Sequence, residues 1–392
     1  MWNPLDQNNI HNPYPMYDLL RKEAPIYKAQ TGEWIFTRYE DVKHVLTSKN
    51  YGGGNRKDWI ERGVEYLAQK DIDISHIVEA MNSFILQLDP PSHTKIRRFV
   101  TDNWDKNGVE DIIQNNVNTL INNITTPEFD LVTEFTAKLP SMTTAKIMGL
   151  PIADHAYLHD LATEMIKALD LYVSLKELVV LNDASKKFVT YFRDKLTDNS
   201  LSEGLLKHLV SVNKHAEEPL TDNELISVFI FLFVASEETS VSFLGMSFYN
   251  IITHDLQSEL IVRENISLEL EELLRFNSPV QLLGRIALED TIIDNHRIKK
   301  GDTLTLCIGA ANRDPAVFES PNEIQLDRNP KHLTFGKGIH YCLGDWLAKY
   351  VSEIAIRECL LKFNNLTIIE GPTDWYNNLA IRGFRSLKVR VG

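Results

Sequence analysis

Cys342 stands in a setting suited to chemistry, within Phe335-Gly336-Lys337-Gly338-Ile339-His340-Tyr341-Cys342-Leu343-Gly344. An apolar helical pattern follows at once, from Leu343 to Phe363. Glycines at 336 and 338 allow a tight turn and a close backbone approach to a flat ligand, and Gly344 keeps bulk off the same surface. A cysteine at a helix start meets unpaired N–H groups and the positive end of the helix dipole, which favour thiolate over thiol. No second cysteine or histidine lies at metal-ligand spacing, so this thiolate suits a metal whose other positions are already filled. Haem iron is such a metal, and a thiolate ligand pushes electron density toward breaking an O–O bond. Cys307 and Cys359 have no such surroundings and read as buried small hydrophobes.

Three further groups of residues carry chemistry. In Glu272-Leu273-Leu274-Arg275 an acid and a base share a helix face at i, i+3. Taken alone, such a pair is more often a solvated surface contact. His93 and Arg97 stand one turn apart after Asp89-Pro90-Pro91-Ser92, and arginine suits two-pronged carboxylate binding. The strongly apolar helix predicted from Asp222 to Thr253 carries Ala235-Ser236-Glu237-Glu238-Thr239-Ser240 at its centre. Charges are rarely buried in such a run without purpose.

The ten-residue cysteine run resembles the haem-ligand loop of cytochromes P450, and the resemblance extends from about Asn12 to Val391. It implies haem b as cofactor, with Cys342 as the iron ligand and Phe335 and Gly344 beside it. His93, Arg97, Arg285 and His340 fall on positions that contact the haem propionates in similar P450s. Glu272, Arg275 and Arg328, the last in Asp327-Arg328-Asn329-Pro330, match a structural ion network around the haem-binding core. Glu238 and Thr239 take the acid and alcohol roles in supplying protons to dioxygen. Two residues depart from the family pattern: Ser236 replaces a glycine, and Ser240 replaces a second threonine. Ser236 would narrow the pocket or add a hydroxyl to the proton path. By analogy of position, Phe84, Ile85, Leu86, Phe231, Val234, Ala235, Val280, Gln281, Leu282, Leu283, Leu379 and Ala380 line the substrate pocket. They are almost all apolar, which suits a hydrophobic small molecule.

These residues need a large scaffold to position them. The chain has 392 residues, 43% hydrophobic and 24% charged, enough to bury a sizeable core. No linker-like, low-complexity or repeated segment divides it, so one P450 domain over 1–392 is expected. Periodicity predicts a helix over Tyr14 to Glu23, strands at Ile26-Tyr27 and Trp34-Ile35-Phe36-Thr37 around a Thr31-Gly32 turn, and a helix over Asp41 to Thr47. Residues 50 to 80, with Gly52-Gly53-Gly54, read as irregular and mobile at first. Helices dominate from Ser92 to Phe276 with breaks at Pro127, Pro151 and Pro219, and short strands occupy Val280 to Leu306 and Leu379 to Val391. The fold class is mainly α with small β-sheets, in agreement with the P450 fold.

Composition also narrows the function. A net charge of -13 argues against general nucleic-acid binding. Three cysteines exclude a disulfide framework and a multi-cysteine metal site. No signal peptide is visible, and no run of about 18 uninterrupted apolar residues forms a membrane span, so a cytoplasmic enzyme without a membrane span is expected. A monooxygenase needs two electrons, and no flavin or iron–sulfur motif is present. The resemblance therefore implies NAD(P)H acting through a ferredoxin-type carrier and its reductase. Lys95, Arg98, Lys106, Lys337 and Lys349 form a candidate basic patch for that carrier, with scattered solubilising charges as the alternative. Two other readings compete with a P450 monooxygenase that hydroxylates or epoxidises a hydrophobic metabolite using O2. They are a peroxide-driven P450 and a haem-binding or sensor protein without turnover.

Overall fold

The structure, a computed structural model, describes all residues except 1, 4–5, 54–62, 82, 171–172 and 199. It is mainly helical with small sheets, and the chain forms two compact units. The first comprises Met1–Tyr51, Ile113–Pro140 and Thr239–Gly392, and the second Gly52–Ile112 and Ser141–Glu238.

In the first unit, the expected helix Tyr14–Glu23 forms, and the strands expected at Ile26-Tyr27 and Trp34 to Thr37 form as Ile26–Lys28 and Trp34–Phe36, with Gly32 in the turn at φ +103°. Trp34–Phe36 pairs in parallel with Thr303–Cys307, which pairs antiparallel with Leu282–Ala287. Phe36, Val42, Val45, Leu304, Leu306, Ile308 and Leu333 pack into the core of this region. The helix Tyr39–Thr47 contributes Val42 and Val45 to that core, four residues or fewer apart on one face. A second sheet runs in the order Glu128–Asp130, Phe384–Val391, Leu366–Trp375. Leu366–Trp375 is a strand that the sequence pattern does not announce. It is mostly exposed and includes Gly371-Pro372, so its register with Phe384–Val391 defines it rather than any alternation.

The second unit is helical. Ring contacts of Phe188 with Phe192 and Phe233, and of Phe192 with Phe229, join Leu175–Thr197 to Asp222–Ser236. Both helices start with a capping box, Ser174 with Glu177 and Thr221 with Glu224. Pro151 and Pro219 fall just before new helical segments, as expected from their missing N–H. Within the stretch 50 to 80, expected to be irregular at first, Ser75–Met81 forms a helix. Asn182 holds it from more than a hundred residues away, accepting from Ile77 N–H at 3.1 Å and donating to the Asp73 carbonyl at 3.1 Å. Gly54 and its followers to 62 lie outside the described residues.

The segment Asp222–Thr253 is, among the described residues, the one helical stretch long and apolar enough to cross a membrane. Counting only uninterrupted apolar runs passes over it. Most of its apolar window is buried inside the protein, as in a core helix.

Candidate active site

Glycines shape the Cys342 loop. Gly336 and Gly338 have φ of +71° and +73°, a region that side-chain-bearing residues rarely adopt. A Cβ on Gly338 would lie 2.3 Å from the Leu46 carbonyl oxygen, so no larger residue fits. Cys342 N–H donates to the Phe335 carbonyl at 2.9 Å, and Tyr341 N–H to that of Gly338 at 3.1 Å, closing the turn. Gly344 then caps Asp345–Lys362 without a side-chain bond, and a Cβ there would meet nothing within 4 Å. The helix thus starts two residues later than the apolar pattern suggests. Cys307 and Cys359 are fully buried, and burial pushes both thiols well above their ordinary value. Cys342 alone is half-buried.

Among the described residues, no group of three or more His, Cys, Asp or Glu gathers at metal-binding distance. A metal held by Cys342 must therefore bring its other ligands with it, as haem does. The open space at Gly344 beside a half-buried thiol fits a flat group. In the same unit, His340 is half-buried two residues before the thiol, and Arg285 is buried on Leu282–Ala287 with Nη1 2.7 Å from the Gly284 carbonyl. In the second unit, His93 is buried and Arg97 half-buried on Ser92–Thr101. Each unit thus offers one arginine and one histidine, donor types suited to carboxylates.

The structure joins Glu272, Arg275 and Arg328. Arg275 Nε lies 2.7 Å from Glu272 Oε2 and Nη2 2.8 Å from Oε1, both side chains 0% exposed. Arg275 also donates to the carbonyls of Asn312, Pro321 and Glu323 at 2.9–3.0 Å. Glu272 Oε1 additionally accepts Gln325 N–H at 2.9 Å and Arg328 Nε at 3.2 Å. Buried charges are tolerated when satisfied in this way. Asn312 links this network to the cysteine loop, a role with no visible sequence signal. Its Oδ1 accepts Leu333 N–H at 2.7 Å and its Nδ2 donates to Thr334 Oγ1 at 2.9 Å. Thr334 in turn donates to the Leu274 carbonyl at 2.9 Å.

The apolar helix is not continuous. It breaks at Glu237 (φ -80°, ψ -89°) into Asp222–Ser236 and Glu238–Thr253, with Thr239 half-buried just beyond the break. Ser236 Oγ donates to the Phe233 carbonyl at 2.8 Å, so at 2.9 Å the Thr144 hydroxyl must be the donor to Ser236. Its single proton is thus committed to the helix, the back-bonding that bends helices. Glu238 is buried and accepts from Thr163 Oγ1 at 2.7 Å. Glu237, which the sequence reading left without a role, is fully buried with Oε2 2.9 Å from His159 Nδ1. Burial pushes its carboxyl up to about 7 against the pull of His159, and Glu238 adds to the rise. Burial disfavours the charged His159 ring, but the bond to Glu237 and the charges of Glu237, Glu238 and Asp160 hold its pKa above the ordinary value. The available signal was two adjacent carboxylates in one apolar run.

The candidate lining residues fall into two sets. In the second unit, the Phe84 and Phe231 rings are 5.3 Å apart, Ile85 and Leu86 form a short turn, Val234 is buried and Ala235 half-buried. In the first, Val280 bridges to Ile381 and Gln281 N–H donates to the Ala380 carbonyl at 2.7 Å. That pairing brings Leu282 and Leu283 near Leu379 and Ala380. The Gln281 amide donates to the Ser278 carbonyl at 2.6 Å and packs over Gly309. Of the candidate patch, Lys349 is ion-paired with Glu271 at 2.6 Å, whereas Lys337, Arg98 and Lys106 are exposed and Lys95 half-buried.

Comparison with known proteins adds the family context. The family profile described as Cytochrome P450 matches residues 268–379. The chain is 30% identical over 417 aligned positions to the polyketide biosynthesis cytochrome P450 PksS of Bacillus subtilis (strain 168), covering 100% of this chain and 98% of that protein. It is 28% identical to the cytochrome P450 monooxygenase PikC of Streptomyces venezuelae, covering 98% and 92%. Among solved structures, P450BioI bound to an acyl carrier protein carrying hexadec-9Z-enoic acid superposes with a TM-score of 0.87 at 27% identity, covering 98% of this chain and 99% of that one.

Proposed function

Because the chain belongs to the cytochrome P450 family and is a monooxygenase of that family, we propose that it inserts one oxygen atom of O2 into a hydrophobic small molecule, by hydroxylation or epoxidation. The observation that carries this reading is Cys342, the half-buried cysteine, in a glycine-turned loop just before Asp345–Lys362. Haem b, when bound, supplies the dioxygen activation that a thiolate ligand promotes. In this proposal Cys342 holds the iron, Phe335 and Gly344 flank it, and His93, Arg97, Arg285 and His340 receive the propionates. Glu272, Arg275 and Arg328 keep the surrounding core rigid. Glu238 and Thr239 move protons, and the full span 1–392 acts as one catalytic domain.

The mostly apolar residues at 84–86, 231, 234–235, 280–283 and 379–380 favour a hydrophobic substrate, and an acyl or polyketide type fits them. The relatives named for polyketide biosynthesis and for an acyl carrier protein complex support the same class. Electrons come from NAD(P)H through a ferredoxin-type carrier and its reductase, steered by Lys337, Arg98 and their neighbours. Three free cysteines suit the reducing cytoplasm.

A reduced-CO difference spectrum tests the reading. Purified protein should show the red-shifted Soret band of haem thiolate, and Cys342→Ser should lose it; a wild-type protein without that band would overturn it. Product formed with NAD(P)H and carriers, but not with peroxide alone, then separates this reaction from a peroxide-driven one. A spin-state titration against acyl and polyketide compounds identifies the substrate.

A further inference from the structure

The helix break holds two adjacent carboxyls, although the family resemblance assigns a role only to Glu238. Glu237 is the more deeply buried, its side chain 0% exposed, while its partner His159 is 24% exposed. We propose that His159 and Glu237 form a proton inlet, in which His159 takes protons from solvent and Glu237 passes them to the carboxyl of Glu238. The proposal rests on the monooxygenase reading above, whose reaction consumes protons.

The geometry differs from that of a structural ion pair. A buried pair kept for stability fills the lone pairs of both oxygens with donors. Here Glu237 Oε1 and Glu238 Oε2 are buried and lack a hydrogen-bond partner among the described residues. Each carboxyl is anchored through one oxygen only, Glu237 by His159 and Glu238 by Thr163. The remaining oxygen of each is free to take a proton. In one transfer, the Nδ1 proton of the His159 imidazolium moves to Glu237 Oε2, the Glu237 carboxyl rotates and gives it to the unbonded oxygen of Glu238, and the neutral His159 ring turns to take a replacement proton from solvent.

The surroundings isolate this route. Glu238 and Asp160 are the charges that act on the pair. The Leu175–Thr197 helix presents the Phe188 and Phe192 rings to this helix, and Lys138–Met148 presents Thr144. Ser75–Met81 is followed by Ser83, which meets the helix at Ser227, with no charge involved. Burial leaves Glu237 protonating at about 7 and His159 above its ordinary value. A proton is therefore exchangeable across the pair near neutral pH.

The test uses wild-type holoenzyme, Glu237→Gln and His159→Phe, each first shown to have the red-shifted CO band. Infrared titration of the wild type should show a protonated buried carboxyl that ionises near 7, and Glu237→Gln should lack it. Product per NAD(P)H oxidised should fall about ten-fold in both variants from about pH 7 upward, with the balance released as peroxide. The pH dependence of coupling should flatten in Glu237→Gln. Wild-type coupling and pH profile in Glu237→Gln would overturn the inlet, as would a wild type with no carboxyl titrating in that range. If His159→Phe does not fold, Glu237→Gln decides. A wild-type holoenzyme without the CO band would instead defeat the monooxygenase reading.

Discussion

Thr163 donates its hydroxyl to Glu238 Oε1 across 2.7 Å, from a helix that ends at Met165. No other hydrogen bond among the described residues reaches the Glu238 carboxyl. Thr163→Val keeps the shape and removes the donor. It should leave a buried acceptor unsatisfied, at a cost of about 1–3 kcal/mol. Turnover should fall about ten-fold with haem content unchanged. Absorbance at the Soret band and product yield measure the two effects separately.

Thr239→Ala addresses the alcohol next to that acid. The variant should keep its haem and its CO spectrum while diverting reducing equivalents to peroxide. Full product yield per NAD(P)H would remove Thr239 from the proton path.

The Glu272 clamp predicts a ranking. Arg275 is fully buried and reaches three carbonyls besides Glu272. Arg275→Ala should therefore cost about 3–5 kcal/mol, because Glu272 stays buried with, among the described residues, only Arg328 and the Gln325 N–H as partners and three carbonyls lose a donor. Arg328 is 13% exposed and meets Glu272 at 3.2 Å, so Arg328→Ala should cost about 1 kcal/mol. Denaturant unfolding of the two variants gives the order directly.

Two glycines in one loop should separate folding from ligand binding. Gly338→Ala drives a Cβ onto the Leu46 carbonyl in a backbone with positive φ, and should lower the melting temperature. Gly344→Ala meets open space at φ -101° and should leave the protein without haem as stable as before. Its effect should appear in haem affinity, measured by titrating haem into apoprotein.

The Glu237 carboxyl gives stability a pH dependence of definite sign. Between the ordinary carboxyl value and about 7, the folded protein keeps a proton that the unfolded chain has released. Stability must fall as pH rises through that window. His159, also raised, acts in the same direction: its contribution is complete below the ordinary histidine value and is lost as pH passes its folded value. Melting temperatures of wild type and Glu237→Gln should converge at acid pH, part as pH rises through that window and stay apart above about pH 7, with the variant the more stable. Parallel curves would show that Glu237 ionises as it does in water.

What the sequence made legible was local. Phe335, Gly336, Gly338, Cys342 and Gly344 lie within ten residues, and their types alone dictate a turn, a thiol and clear space. Glu272 and Arg275 share one helical turn. Other features depend on partners far along the chain. Glu237 meets His159 across 78 residues, and although Glu237 lies beside Glu238 in the apolar run, His159 carries no flanking motif. Ser75–Met81 relies on Asn182, and Leu366–Trp375 on its register with Phe384–Val391. Arg328 was legible only through family resemblance, because its contact with Glu272 spans 56 residues.

The amide of Gln325 sits on the same Glu272 oxygen that receives Arg275 and Arg328. Its proton can exchange with deuterium only when the turn around 325–328 lifts from the Ser267–Phe276 helix. That single backbone position is therefore a clock for local lifting of the turn from the Glu272 carboxylate. Its exchange rate would report how often the clamp loosens there, independently of any turnover.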